Sequence, residues 1–523
     1  MIFNKYFLLA VLTVAGLLAD AQPSIIPLPT EYKLSNDSFA LDNNVALVIA
    51  DAAFEDEGNY FQMQLLKSTG ITLPLLQGKK ERTVLLQRAI VKNAMKGSYS
   101  LKISRNEVLL SATDDEGIFY GITSLLQLIT SKKVVNGRAN IPSWEINDKP
   151  LYRWRGLMLD ESRHFFGKEK VKSLLDWMAF YKLNKFHWHL TDEPGWRLEI
   201  KKYPLLTLVG GIGSHTNPYS PTAFYTQEDV KEIVQYAAER KIEVIPEVDM
   251  PGHARAANRA YPQFSGGGSE KYPDFTFDPG NEGTYQYLTN IIREVDVLFP
   301  SKMIHLGGDE VSFGNQQWGK NHGIQKIMAS NNLKNLKDVE DYFMKRMADS
   351  LYKLNSKFLA WDEMANLSLP ADKTVIFWWR HDKPEQLKMA VEKNYSVVLC
   401  PRIPLYFDFV QDSSHTVGRK WKTSYAGLGN LYMFDAGSFL SKSQQNKVLG
   451  IQANVWTEVI ATTQRLDYMI FPRISALAET AWSEKKNYAN YLDRLKTHLP
   501  LYEQKGIFYY DIFKPTRFSE PEL

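Results

Sequence analysis

The stretch Met303-Ile304-His305-Leu306-Gly307-Gly308-Asp309-Glu310 joins an apolar run to two glycines and two adjacent carboxylates. The apolar run suits a buried strand, and the glycines leave room for a ligand close to the backbone. Neighbouring residues on a regular strand point to opposite faces, so both acids reach one pocket only if the strand ends or kinks at the glycines. We expect that it does. An exposed Asp-Glu pair in a strand-to-helix turn is the alternative for this stretch taken alone.

The composition of the 523-residue chain is that of a globular protein, with 44% hydrophobic and 23% charged residues. The length suits a barrel of roughly 250 to 350 residues plus a smaller domain. A net charge of +3 without a block of like charge does not indicate a nucleic-acid or anionic-membrane partner. Aromatic residues make up 13%, and sugar rings stack on aromatic faces.

The N-terminus has the pattern of an export signal. Lys5 precedes an apolar run over residues 7–18, and Ala19-Asp20-Ala21 is a small-x-small cleavage pattern. We expect residues 1–21 to be removed, and no later run of about 18 apolar residues predicts a membrane span. The single cysteine, Cys400, excludes a disulfide framework, so an exported chain of this kind indicates a bacterial periplasm or secretion.

Residues 22–148 are predicted to form a small mixed α/β domain. Short β-type runs at 45–49, 83–86, 99–103 and 108–110 precede an amphipathic helix over 114–129, capped by Asp114 or Asp115. Gly137, Pro142 and Pro150 mark 131–150 as the linker.

Residues 149–523 are predicted to form a (β/α)8 TIM barrel with a C-terminal extension. The eight strand candidates are 155–160, 185–192, 242–249, 303–310, 357–363, 374–379, 396–401 and 448–456. Helix candidates between them are 168–181, 226–240, 283–299, 338–354 and 383–392, and no helix is clear between the last two strands. A doubly wound open sheet is the alternative, but it does not need chemistry at nearly every strand end.

Polar and aromatic side chains follow strand after strand, at the ends that share the active-site face of a barrel. They are Asp160, His189 with Asp192, Glu247 with Asp249, Asp309 with Glu310, Asp362 with Glu363, Trp378 with Trp379, and Trp456 with Glu458. Trp361 and Tyr406 with Asp408 add to this set. An aromatic box with acids on its rim suits a sugar whose faces stack and whose hydroxyls bond to charged groups.

The spacing His187-x-His189 favours a competing interpretation. It puts two imidazoles on the same side of a strand, which is how a barrel metallohydrolase begins its metal site, and His253 and His305 could supply further ligands. The aromatic strand ends are unusual for a hydrated metal centre.

Five motifs in order resemble family 20 glycoside hydrolases, the β-N-acetylhexosaminidases, from about residue 150 to 485. They are Arg155-Gly156 with Asp160, His187-Trp188-His189-Leu190-Thr191-Asp192, Asp249-Met250-Pro251-Gly252-His253, residues 305–310, and Trp456-Thr457-Glu458. The small N-terminal domain resembles the one that precedes the barrel in this family. The resemblance implies exo-hydrolysis of terminal N-acetylhexosamine, in which the 2-acetamido oxygen of the substrate is the nucleophile.

The resemblance also implies roles for residues around the sugar. Glu310 would protonate the departing oxygen and then deprotonate water, and Asp309 would accept the acetamido N–H. Tyr406 would donate to the acetamido oxygen. The tryptophans Trp361, Trp378 or Trp379, and Trp456 would enclose its methyl group.

Further roles implied by the resemblance concern the hydroxyls and the acid. Arg155 and Glu458 match positions that bind the 3- and 4-hydroxyls, and Asp408 one near the 6-hydroxyl. Asp192 and His253 match a network that tunes Glu310. No metal or cofactor is required, which makes His187 and His189 structural. One departure is Glu193-Pro194, where the family often has Asp-Gln, although Asp192 is kept.

Two other functions stay open at this level. A catalytically silent sugar-binding barrel would be expected to lack the acid, and a metal-dependent amidohydrolase would lose activity in chelator and regain it with zinc. The expected partners are glycans with terminal GlcNAc or GalNAc, and the choice between these sugars, the natural linkage and the oligomeric state stay open.

Overall fold

A computed structural model describes residues 22–78, 80–420 and 424–522. These residues form two compact units. The first contains the described residues up to Leu151 with Phe180–Lys182 and Ala478–Gly506, and the second contains Tyr152–Ala179, Leu183–Leu477 and the described residues from Ile507 onward. The predicted signal segment, 1–21, lies outside the described residues.

The first unit contains a six-stranded mixed sheet with the spatial order β1-β6-β4-β5-β3-β2. The strands are β1 (Glu31–Leu41), β2 (Ala46–Ile49), β3 (Thr83–Arg88), β4 (Tyr99–Ile103), β5 (Glu107–Ala112) and β6 (Ala139–Asp148). Two helices, α1 (Glu55–Thr69) and α2 (Asp115–Thr130), pack against each other, and α2 also packs on the sheet. As predicted, Asp114 caps α2, because its carboxylate accepts a hydrogen bond from the backbone N–H of Gly117 at 2.8 Å.

The prediction that 131–150 is a linker is wrong. Half of this segment is β6, which pairs antiparallel with β1 and with β4. Its side chains alternate between buried and exposed over much of its length, which is the pattern of a strand with one face on a core. Pro142 and the nearby glycine concealed this period at the sequence level.

The second unit contains a closed parallel barrel of eight strands, which confirms the predicted fold. In chain order the strands of this unit are β7 (Trp154–Asp160), β8 (Lys185–His189), β9 (Glu243–Met250), β10 (Ser265–Gly267), β11 (Thr276–Phe277), β12 (Met303–Gly307), β13 (Lys357–Trp361), β14 (Thr374–Trp378), β15 (Ser396–Leu399) and β16 (Val448–Val455). The short strands β10 and β11 pair only with each other. Each of the eight predicted strands therefore corresponds to one barrel strand.

A helix lies in each place between barrel strands where the sequence predicts one, and the connection from β13 to β14 contains only 3₁₀ turns. In chain order the helices after α2 are α3 (Lys168–Phe180), α4 (Leu205–Leu208), α5 (Gln227–Ala238), α6 (Arg255–Ala260), α7 (Glu282–Leu298), α8 (His322–Ser330), α9 (Leu336–Lys353), α10 (Pro384–Glu392), α11 (Arg402–Leu405), α12 (Leu428–Tyr432), α13 (Thr463–Ile470), α14 (Arg473–Trp482) and α15 (Tyr488–Gln504). Between β15 and β16, where no helix was clear, the described residues include only the short α11 and α12 and 3₁₀ turns. Judged by length and apolar character together, none of the described helices is a candidate membrane span.

The register of the barrel aligns polar side chains across neighbouring strands. Asp160 lies opposite His189, His189 opposite Glu247, and Glu247 opposite His305. Because the strands are parallel, these four residues occupy one level near the carboxyl ends of β7, β8, β9 and β12. The fold thus places them beneath the face where barrel active sites lie.

Candidate active site

A cavity of about 270 Å³ lies at the carboxyl ends of the barrel strands. Its lining residues are Arg163, His253, Asp309, Glu310, Trp361, Trp379, Arg402, Tyr406, Phe409, Arg419, Lys420, Trp456 and Glu458. A larger cavity of about 340 Å³ belongs to the first unit, but its only carboxylates are Glu31 and Asp148. Asp148 there already binds Tyr99 and Lys182. The barrel cavity is therefore the candidate active site.

The tandem acids reach this cavity because β12 ends at Gly307. Gly307 and Gly308 have φ angles of 66° and 87°, and a Cβ on Gly307 would lie 1.7 Å from Oδ1 of Asp249. Glu310 is itself left-handed, with φ 52°, and its carbonyl accepts a 2.9 Å hydrogen bond from the N–H of Phe313. The expected end of strand pairing at the glycines is present, and it turns Asp309 and Glu310 into one cavity.

Burial raises the pKa of both acids. It raises the pKa of Asp309 to about 7 and that of Glu310 above its ordinary value, with a contribution from the nearby Glu363 carboxylate. The imidazole of His253 opposes both shifts. A carboxyl group that keeps its proton towards neutral pH can act as a general acid, so Glu310 has the electrostatic surroundings that this role needs.

His253 joins the tandem acids to buried groups beneath them. Its Nε2 atom lies 3.7 Å from Oδ2 of Asp309 and 3.8 Å from Oε2 of Glu310. Its Nδ1 atom lies 3.1 Å from Oδ1 of Asp192. Asp192 is buried and does not line the cavity, so its predicted place in the network that tunes Glu310 fits the structure better than direct contact with a sugar.

Glu247 is the centre of the buried layer below Asp192. His189 connects the two, with Nε2 2.9 Å from Asp192 and Nδ1 2.7 Å from Oε2 of Glu247. The other oxygen of Glu247 accepts a hydrogen bond from Nε1 of Trp361 at 2.9 Å and lies 2.9 Å from Nδ1 of His305. His305, His189 and His187 hold the pKa of Glu247 well below its usual range despite burial. The buried Glu247 carboxylate therefore holds Trp361, which lines the cavity. Through His189 it also holds Asp192, which contacts His253.

The paired imidazoles of the metallohydrolase interpretation do not face the cavity. His187 and His189 are fully buried, and both contact Glu247, with Nε2 of His187 3.0 Å from Oε2. Ligand atoms of His187, Glu247 and His305 lie within 4.8 Å of one another, which is close enough for a metal ion. Since none of the three lines the cavity, a metal there would not meet a substrate in it.

Aromatic rings form one wall of the cavity. Trp361, Trp379, Tyr406 and Trp456 all line it, and Trp379 stacks on Tyr406 with ring centroids 6.2 Å apart and planes 13° apart. Trp378 does not line it, because consecutive residues of β14 and its end point in different directions. Its Nε1 donates to the carbonyl of Lys383 at 3.2 Å, and its ring packs on Phe439. Of the two tryptophans that the sequence left as alternatives, Trp379 lines the cavity and Trp378 does not.

Of the two arginines near the first barrel strand, Arg163 lines the cavity and Arg155 does not. Arg155 lies at the start of β7, and its guanidinium donates to the carbonyl of Tyr152 at 2.8 Å. That is the amino end of a strand, about 17 Å from the carboxyl end at 3.3 Å per residue. Arg163 follows β7, lies 2.8 Å from Oδ2 of Asp192, and places its guanidinium 5.1 Å from the ring centroid of Trp456. Strand direction was the sequence signal that separates these two arginines.

Two further predicted carboxylates, Asp408 and Glu458, contact a basic residue that the sequence did not single out. Glu458 lines the cavity, and Asp408 is fully buried and not among the lining residues. Arg419 forms ion pairs with both, and its Nε is 3.2 Å from Oδ2 of Asp408. Arg402, Phe409 and Lys420 also line the cavity without a preceding motif. They lie in the irregular segment before β16, where sequence patterns carry little information.

A parallel (β/α)8 barrel with a carboxylate tandem and an aromatic-walled cavity at its carboxyl end is typical of barrel glycoside hydrolases. The chain matches the family model "Glycosyl hydrolase family 20, catalytic domain" over residues 152–485 and "Glycosyl hydrolase family 20, domain 2" over 22–149. The chain belongs to glycosyl hydrolase family 20, which confirms the resemblance seen in the motifs.

Curated relatives carry related names. The chain is 33% identical over 512 residues to a "Beta-hexosaminidase" of Porphyromonas gingivalis, covering 92% of this chain and 65% of that protein. It is 34% identical over 409 residues to one of Vibrio furnissii, covering 74% of this chain and 66% of the relative. The chain thus spans just under two thirds of the length of these two relatives. A "Beta-hexosaminidase" of Akkermansia muciniphila is 29% identical, with 88% of this chain and 92% of that protein covered.

Solved structures share the architecture. The GH20 exo-β-N-acetylglucosaminidase of Vibrio harveyi in complex with N-acetylglucosamine has a TM-score of 0.86 at 31% identity, covering 94% of this chain and 78% of that chain. The β-N-acetylhexosaminidase of Bacteroides fragilis has a TM-score of 0.82 at 29% identity, covering 95% and 99%.

Proposed function

We propose that this chain is an exo-acting β-N-acetylhexosaminidase, which hydrolyses terminal non-reducing N-acetyl-β-D-hexosamine from glycans. The single observation that carries the proposal is the tandem Asp309 and Glu310 in a cavity walled by Trp361, Trp379 and Trp456. The names of the relatives and of the Vibrio harveyi complex support the same substrate class. A volume of about 270 Å³ suits one sugar ring better than a long glycan segment, which supports exo-action.

The proposed mechanism is substrate-assisted with retention. The 2-acetamido oxygen attacks the anomeric carbon while Glu310 donates its proton to the departing oxygen, and the resulting oxazolinium ion is opened by a water that Glu310 deprotonates. Asp309 accepts the acetamido N–H and stabilises the positive charge on that group. Tyr406 donates to the acetamido oxygen, and the tryptophans hold the acetamido group in the attacking geometry.

We assign the remaining cavity groups to substrate binding. Arg163 and Glu458 are placed to bind ring hydroxyls, since both line the cavity and carry charge that forms strong hydrogen bonds. His253 and Asp192 tune Glu310. In these assignments Arg163 replaces Arg155, and Trp379 is chosen from the pair Trp378 and Trp379.

The test is a panel of aryl glycosides with the wild-type chain and Glu310→Gln. We expect hydrolysis of the aryl N-acetyl-β-glucosaminide and galactosaminide and no hydrolysis of the matching β-glucoside, which lacks the internal nucleophile. Glu310→Gln should lower kcat by roughly 10²- to 10⁴-fold, the usual contribution of general acid catalysis. Glu392→Gln, an exposed glutamate of α10, is the matched control. Hydrolysis of the β-glucoside at a similar rate would refute the mechanism, and loss of activity in chelator with recovery in zinc would favour the metal-dependent alternative.

Export is a separate part of the proposal. A basic residue, an apolar run and a small-x-small site in residues 1–21 support cleavage before Gln22 and a periplasmic or secreted location. Mass spectrometry of the mature N-terminus after expression in a bacterial host tests this, and an intact residue 1 in the mature protein would contradict it.

A further inference from the structure

Arg419 joins the two carboxylates on the hydroxyl-binding side of the cavity. Its Nε lies 3.2 Å from Oδ2 of Asp408, and one terminal nitrogen contacts Oε1 of Glu458. The guanidinium also lines the cavity itself. Both carboxylate oxygens of Asp408, and Oε2 of Glu458, are buried atoms that make no hydrogen bond with the other described residues. Arg419 therefore forms ion pairs with a fully buried acid and a partly buried acid, and each acid keeps at least one oxygen that can accept a hydrogen bond.

We infer that Arg419 is a positioning residue for substrate binding, which holds Asp408 and Glu458 together as a charged pair that accepts hydrogen bonds from sugar hydroxyls. This inference rests on the proposed function, because it assigns a ligand to the same cavity. Two buried carboxylates close to one another repel and are costly to keep ionised. A guanidinium between them offsets this cost and fixes their direction, since its planar nitrogens bind both at once.

Backbone hydrogen bonds join Arg419 to the segment that contains Asp408. The N–H of Arg419 donates to the carbonyl of Asp408 at 3.0 Å, and the N–H of Val410 donates to the carbonyl of Arg419 at 3.1 Å. Gly418 precedes it with φ 129°, and a Cβ there would lie 2.7 Å from Cγ1 of Val410. A positive φ favours glycine, and a side chain at residue 418 would crowd the Val410 side chain. The arginine is thus tied to the segment that carries Asp408.

Glu520 and Arg465 hold the backbone just before Gly418 and Arg419. The carboxylate of Glu520 accepts hydrogen bonds from the N–H groups of Thr416 at 2.7 Å and Val417 at 3.1 Å. Arg465 is fully buried, contacts the carbonyl of Val417, and lies 3.0 Å from Oε1 of Glu520. Glu520 therefore fixes the backbone of the two residues that precede Gly418, although Glu520 does not line the cavity. Its loss should weaken binding through Arg419 alone.

The charge on the pair depends on its surroundings. The charged and titratable groups that face Asp408 and Glu458 are Arg419, Arg473, Arg163, Asp192 and Tyr406. Burial raises the pKa of Asp408 to about 7, and Arg419 opposes this rise. Burial also acts on Glu458, but the guanidinium groups of Arg163 and Arg419 hold its pKa below the usual range. Without Arg419, Asp408 takes up its proton at higher pH and becomes a weaker acceptor.

The test compares wild type with Arg419→Gln, Arg419→Lys and Glu520→Gln, with Arg293→Gln and Glu392→Gln as exposed controls. Isothermal titration calorimetry gives the Kd for N-acetylglucosamine, and kinetics with the aryl N-acetyl-β-glucosaminide give KM and kcat over a range of pH. Arg419→Gln should raise Kd and KM roughly tenfold with kcat within about twofold, because a charged hydrogen-bond partner is lost from uniform binding. Arg419→Lys should recover part of this loss, and Glu520→Gln should raise KM about threefold.

The pH profile adds a result that a merely structural role would not produce. In Arg419→Gln the rise in KM on acidification should begin at a higher pH than in wild type. An unchanged Kd and KM in Arg419→Gln would overturn the inference, and so would a fall in kcat alone. If wild type hydrolyses no N-acetylhexosaminide the proposed function fails, whereas the calorimetric comparison still tests Arg419.

Discussion

The imidazole of His253 lies between a buried carboxylate and the tandem acids, with Nδ1 3.1 Å from Oδ1 of Asp192. Burial lowers the pKa of His253, but Asp192, Asp309 and Asp249 together raise it well above the ordinary value. The protonated ring is therefore the positive charge nearest the tandem, and Asp192 stabilises it. This pairing couples the titration of Glu310 to a residue that does not touch the cavity.

His253→Asn should shift the pH dependence of the reaction. The charge on His253 lowers the pKa of Glu310, so its removal raises that pKa further, and the basic limb of kcat/KM, where the acid loses its proton, moves to higher pH. A pH series with the aryl N-acetyl-β-glucosaminide measures the shift. Asp192→Asn should move the limb in the same direction by less. A basic limb at the same pH in both variants would show that His253 does not tune the acid.

Asp309→Asn should lower kcat by roughly 10²- to 10³-fold with a smaller change in KM, because the charge that stabilises the developing oxazolinium is lost. Only the ionised form of Asp309 is active, so the acid limb that its protonation causes should disappear as well. Steady-state kinetics across the acid and neutral range check both effects. We expect kcat of Asp309→Asn to fall by the same factor with an aryl substrate that has a far better leaving group, because Asp309 does not donate the proton to the leaving group. A variant with wild-type kcat would refute the assignment.

Arg163→Lys and Arg155→Lys test which of the two arginines, the one after β7 or the one within it, contributes to substrate binding. Arg163→Lys should lower kcat/KM by roughly 10- to 100-fold, because lysine cannot bind Asp192 and lie over Trp456 with a planar group. Arg155→Lys should leave KM unchanged and lower Tm, since its guanidinium contacts backbone at the amino end of β7. Steady-state kinetics and thermal melting of both variants measure kcat/KM, KM and Tm and so distinguish the two roles. The reverse pattern would restore the sequence-based assignment.

Trp379→Phe and Trp378→Phe test which tryptophan forms the wall. Trp379→Phe should raise KM and lower kcat several-fold, because the shorter ring loses its contact with Tyr406 and its 3.1 Å hydrogen bond to Glu363. Trp378→Phe removes a partly buried hydrogen bond to the Lys383 carbonyl and should cost about 1 to 3 kcal/mol of stability without changing KM. Titration with N-acetylglucosamine gives the direct comparison. Equal Kd values in the two variants would contradict the placement of Trp379.

Lys182→Met should destabilise the first unit. The ammonium of Lys182 lies 3.2 Å from Oδ2 of Asp148, and both side chains are fully buried. Its removal leaves a buried carboxylate without its cation, a change that typically costs about 3 to 5 kcal/mol. Calorimetric melting should show a lower Tm than Lys67→Met, the exposed control on α1, while the double variant with Asp148→Asn recovers part of the loss. A melt matching the control would contradict this account.

The local pattern of the sequence was enough to predict the barrel. Each of the eight apolar runs became one strand, and five of the seven connections between consecutive barrel strands contain a helix of at least nine residues, which is the pattern that predicts a parallel barrel. The tandem Asp309-Glu310 was equally predictable, since two glycines directly follow a buried strand and no long-range contact is needed to turn the chain there. The strand β6 was missed because a proline and a glycine interrupted a period that only its neighbours β1 and β4 complete.

By itself, then, the sequence determined the fold class, the strand ends that carry chemistry and the acid pair, because these follow from residue period and chain continuity. Tertiary structure decided which of two candidate side chains lines the cavity: Trp379 and not Trp378, and Arg163 and not Arg155. It also brought Glu247 against three imidazoles and Arg419 against Asp408 and Glu458. Those choices depend on side-chain direction and on contacts between distant segments, and neither is encoded in the local order of residues.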